Sequence, residues 1–100
     1  MRYDMTRNGI KTTLDYLRRI APEHHASAQE IVRTLPVGWQ NAIPTACRQP
    51  DGAVPWKAIT HALLALIDPV KFPPSRRTRR LAGFIHSLLD TNERDPHHQT

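Results

Sequence analysis

A chain of 100 residues with 39% hydrophobic content is sized for one domain with a real core, which excludes a wholly disordered tail. Its 14 basic and 9 acidic residues leave a net charge of +5, which favours an anionic partner. A single cysteine, Cys47, excludes a disulfide framework and a zinc ribbon. No apolar stretch has the length of a signal peptide or a membrane span, so a soluble cytoplasmic protein without a membrane partner is expected.

In chain order, residues 1–8 read as a loosely held arm. A first helix is predicted from Gly9 to Ile20, with Ile10, Leu14, Leu17 and Ala21 on one face and Pro22 ending it. "SAQE" is a capping-box pattern, so a second helix is predicted from Ser27 to Leu35, burying Ala28, Ile31, Val32 and Leu35. A third piece over Gly38 to Cys47 follows from Trp39, Ala42, Ile43 and Ala46, and Pro44 makes it short, kinked or split. "RQPDG" is a turn, and Pro55 suits the first position of the next helix, which runs to Ile67. That helix is apolar nearly all round, with only Lys57, Thr60 and His61 polar, as expected of the centre of a small bundle. The last helix is predicted from Arg76 to Asp90, and residues 91–100 should fray. The expected fold is therefore all-α, a single compact bundle of four to five short helices.

The segment from Ser27 to Arg48 carries apolar spacings that resemble a helix-turn-helix core, though Pro36 stands where glycine is usual in the turn. On that reading Trp39, Gln40, Asn41, Thr45 and Arg48 would face a nucleic acid. Gln40 and Asn41 have the side-chain chemistry that reads adenine, and Arg48 could reach guanine or phosphate. Trp39, beside Gly38 and in a polar neighbourhood, is the tryptophan expected to be partly exposed; Tyr16, Trp56 and Phe84 read as core.

The second basic feature is "PPSRRTRRLAGFIHSLLD". Arg76, Arg77, Arg79 and Arg80 crowd the first turns of the last helix, where the macrodipole prefers acids. At 100° per residue, Arg76, Arg79 and Arg80 point away from the stripe Leu81, Phe84, Ile85, Leu88 and Leu89, and Arg77 lies near its edge. Phosphate would offset the conflict, because guanidinium forks and free helix amides both bind it. Asp90, Glu93 and Asp95 reverse the charge at the other end as well. An antiparallel homodimer of these helices, sealed by the same apolar stripe, is the alternative counterpart.

The histidines form no recognised ligand spacing, Cys47 reads as a small buried residue, and no glycine-rich phosphate loop is present. No enzymatic activity, metal or cofactor is expected. The leading expectation is a small basic nucleic-acid-binding regulatory protein, with DNA favoured over RNA, anchored by the arginine cluster and reading bases from Trp39 to Arg48. The alternative is a protein-binding module, an adaptor or inhibitor that docks on a larger acidic partner.

Overall fold

A computed structural model describes the backbone of residues 5–93 and the side chains of residues 9–90. Among these residues it contains four α-helices: α1 (Met5–Ile20), α2 (His25–Thr34), α3 (Trp56–Ile67) and α4 (Arg76–Glu93). The expected all-α bundle is what forms. Helix α1 begins at Met5 rather than Gly9, so residues 5–8 of the expected arm are helical; residues 1–4 lie outside the described set. Helix α4 continues three residues past Asp90, and the rest of the expected frayed tail, residues 94–100, also lies outside it.

Proline and the residue before it set most of the boundaries. Ala21, ahead of Pro22, leaves the helical region at φ −149°, ψ 67°, and Pro22 opens a 3-10 turn over Pro22–His24. That turn runs directly into α2, which starts at His25. The expected cap at Ser27 is displaced by three residues, to His24: Ser27 sits inside the helix, exposed, because the preceding 3-10 turn already supplies the helical backbone. At the far end Leu35, ahead of Pro36, is extended and closes α2 with its amide on the Ile31 and Val32 carbonyls. Helix α3 begins just after Pro55, one residue later than expected, and Asp68 closes it by donating its amide to Leu64. Ser75 caps α4: its hydroxyl accepts the Thr78 amide at 3.2 Å, and its carbonyl accepts the Arg79 amide at 2.7 Å.

Helix α3 is the centre of the fold, packed most extensively against α4 and α1. Ile59, Ala62, Leu63 and Leu64 are almost completely buried, and they meet Leu17 and Ala21 from α1, Ala28 from α2, and Leu81 and Ile85 from α4. Each fully buried Leu or Ile contributes about 1.5–3 kcal/mol of transfer free energy, so this cluster is what holds the four helices together. Thr60, expected to be on the polar edge, is buried. It and the equally buried Thr13 of α1 both donate their hydroxyls to the Trp56 carbonyl, at 3.2 and 3.4 Å. That shared acceptor satisfies two hydroxyls that would otherwise be costly to bury, and it ties α1 to the start of α3.

The packing of α4 turns its apolar stripe inward. Leu81 is 1% exposed and Ile85 0%, both against the core, so these two residues are spent within the chain. Its remaining members, Phe84, Leu88 and Leu89, are half-buried and also pack on the core cluster. Tyr16, Trp56 and Phe84 are likewise half-buried rather than fully enclosed.

Candidate nucleic-acid interface

The segment between α2 and α3 departs furthest from its expected form. Pro36 ends α2, Gly38 takes φ +80° to turn the chain, and a 3-10 turn follows over Trp39–Ala42. Ile43, ahead of Pro44, is extended at ψ 128°, and a second 3-10 turn covers Thr45–Cys47. Two prolines eight residues apart in sequence leave no room for an α-helix. A groove-reading recognition helix is therefore absent from this segment.

The side chains are redistributed accordingly. Trp39 is 5% exposed and Gln40 6%; neither faces solvent, contrary to expectation. The Trp39 ring meets Trp56 edge to face, with centroids 6.4 Å apart and planes at 89°. Such a pair adds about 0.5–1.5 kcal/mol beyond the area it buries. Ala42 and Ala46, expected on the apolar face, are exposed, and the inward positions are Trp39, Ile43 and the free Cys47. Asn41 and Thr45 are exposed but sit on different 3-10 turns.

Arg48 has a structural task. Its Nε donates to the Ile43 carbonyl, Nη2 to Gln40 and Asn41, and Nη1 to Gly52, each at 3.1 Å. A 3-10 turn that stops at proline leaves its last carbonyls without intrahelical donors. One guanidinium with five donors serves them and joins the Gly52 turn to the same point. The arginine expected to contact a base is thus turned inward on its own backbone. The available sequence signal was its position between two breakers, "IP" and "QPDG", each of which strands carbonyls.

The other arginines are arranged differently. Arg77 donates from Nη2 to the Arg48 carbonyl at 3.0 Å, which fastens α4 to this loop. Arg76, Arg79 and Arg80 are exposed on the outer face of α4, as the helical spacing predicts, and make no hydrogen bond or ion pair with any described residue. Most other cations among the described residues are engaged: Lys11 and Arg18 with Asp15, Arg33 with Glu30, and Lys71 with Glu23. The exceptions are Arg19 and Lys57, on neighbouring helices.

The α3–α4 connector holds the start of α4 in place. Lys71 donates to Glu23 Oε2 at 3.1 Å, which links the connector to the 3-10 turn before α2. His24 Nε2 lies 3.4 Å from Asp68 Oδ2, and the His24 ring stands edge-on to Phe72. Asp68 also accepts the Lys71 amide, so one carboxylate serves both contacts. The Glu23 carboxyl is held below its usual value, first by its own backbone amide and then by Lys71. A lowered folded-state pKa stabilises above the unfolded value and is lost as pH falls through the folded one. The melting temperature advantage of the protein over Glu23→Gln should therefore be full at neutral pH. It should shrink as pH falls below 4.5. An advantage that persists unchanged into strong acid would mean that the carboxylate is idle.

Among the described residues no group of three or more His, Cys, Asp or Glu side chains could hold a metal ion, and no helix is long and apolar enough to cross a membrane. Comparison with known protein families, with curated proteins and with solved structures finds no match to this chain.

Proposed function

We propose that this is a small, non-enzymatic nucleic-acid-binding regulatory protein that grips the phosphate backbone through the first turns of α4. The observation that carries the reading is the exposed trio Arg76, Arg79 and Arg80, which has no counter-charge among the described residues. Three guanidiniums within five residues repel one another and oppose the positive end of the helix dipole. A row of phosphates relieves both terms, and guanidinium forks match phosphate oxygens two at a time. Ser75 consumes one of the free amides at this helix end, so the side chains carry the interaction more than the backbone does. With Trp39 and Gln40 buried and Arg48 occupied, the contact is to backbone rather than to base edges, and DNA binding of low sequence preference follows.

Three phosphate contacts give a log–log salt slope of roughly −3 on duplex DNA. Replacing Arg76, Arg79 and Arg80 together by Ala should abolish binding and flatten that slope while leaving the fold intact, since all three side chains are exposed. Absence of binding by the unaltered protein at low salt would overturn the reading. The alternative would then take its place: a module docking on an acidic protein, using the same arginines together with Val37 and Val70, which are 105% and 90% exposed.

A further inference from the structure

Two hollows open on the surface, and two of the unpaired cations, Arg19 and Lys57, line the first. The larger, about 490 Å³, lies between α1 and α3. Tyr16 and Trp56 form part of its wall, and Arg19 and Lys57 line it without an ion-pair partner among the described residues. Asp15 lines it too, but that carboxylate is engaged by Lys11 at 3.2 Å and Arg18 at 3.7 Å, so it does not cancel the other two cations. The smaller hollow, about 280 Å³, is lined by His61, Phe72, Ser75 and Thr78 among others. It lies at the start of α4, where Ser75 and Thr78 bracket the first arginines.

One ring pair links the linings of the two hollows. Tyr16 of the first stands edge-on to His61 of the second, with ring centroids 6.4 Å apart, and Lys57 and His61 are one turn apart on the same edge of α3. Together the two linings offer Arg19, Lys57 and His61 with the half-buried Tyr16 ring among them, and Ser75 and Thr78 flank the arginines of α4 in sequence. Proteins that hold single strands combine these two elements: cations that follow the backbone and aromatic faces on which bases stack. A duplex needs only the outer arginines; an unpaired strand can also enter the hollows.

We infer that the α1–α3 groove and the hollow at the start of α4 form one track for a single strand of nucleic acid. Arg19 and Lys57 contact phosphates, Tyr16 stacks on a base, and Arg76, Arg79 and Arg80 hold the strand where it leaves. This rests on the phosphate-binding reading above and adds to it a preference for unpaired strands.

The test is fluorescence anisotropy of the full chain with a labelled oligothymidylate of about 15 nucleotides, against a duplex of equal length. The oligothymidylate should bind more tightly. Replacing Arg19 and Lys57 together by Ala should flatten its salt slope by about 1.4 and weaken it roughly 25-fold at about 0.1 M salt, with duplex binding changed less than about twofold. Tyr16→Ala should weaken the single strand by roughly five- to 150-fold, and Tyr16→Phe should restore it. Duplex binding without oligothymidylate binding would overturn the track and leave the phosphate reading standing. Loss of both would overturn both. An Arg19/Lys57 double variant that keeps full single-strand affinity would overturn the track even if Tyr16→Ala failed to fold.

Discussion

Arg48→Ala should cost the fold about 2–4 kcal/mol, read as a shift of the urea midpoint at constant slope. The guanidinium serves four carbonyls, and two of its bonds are partly buried, to Ile43 and Gln40. Hydrogen bonds to a charged donor contribute about 1.5–3 kcal/mol each when their loss leaves the acceptor dry. Water can reach Asn41 and Gly52, where the bonds are exposed, and that keeps the total well below four times this figure. Arg48→Lys should recover only a fraction, because an ammonium cannot span acceptors on three separate stretches of backbone. Amide exchange should rise across Trp39–Ala42 and Thr45–Cys47 before it rises in α3. A loss under about 0.5 kcal/mol would mean that water replaces the guanidinium. If stability held while DNA affinity fell, Arg48 would return to the interface where its sequence context first suggested it.

Gly9→Ala should destabilise by about 1–3 kcal/mol, although alanine is the better helix former by about 1 kcal/mol. A methyl built on Gly9 would fall inside the Trp56 indole. Trp39 stands edge-on to that ring, so a retreat of the indole disturbs the Trp39–Trp56 pair. Glycine here permits α1 to approach α3 at the indole. Gly83 in α4 is the internal control. It is exposed, a methyl there meets nothing, and Gly83→Ala should stabilise by about 0.5–1 kcal/mol. Opposite signs for the two substitutions separate contact from propensity. A stabilising Gly9→Ala would show that the indole yields.

In the candidate interface, the outward set on α4 was legible from the sequence. Arg76, Arg79 and Arg80 are placed by helical period alone, and their exposure requires only that Leu81 and Ile85 face inward. The segment from Trp39 to Arg48 was not. Its spacing suited a recognition helix, but the prolines split it, and burial of Trp39 depends on Trp56, which is distant in sequence. The α1–α3 groove was equally hidden, since Arg19 and Lys57 are far apart along the chain and become neighbours only when α1 packs on α3.

By itself, then, the sequence determined that the chain is helical, where proline halts its helices, that the helix ending at Ile67 is central, and which edge of the last helix carries charge. Those properties are local: they depend on residues three or four apart and on the backbone limits of single prolines. Tertiary structure decided which polar groups would be spent internally and which left over. Thr13 reaches a carbonyl 43 residues away, Arg77 one 29 residues away, and Lys71 a carboxylate 48 residues away. Hydrogen bonding has short range in space and no fixed range in sequence. Periodicity could show that Arg48 and Arg79 both lie near a surface. Only the packed chain could turn one inward onto its own carbonyls and leave the other facing solvent.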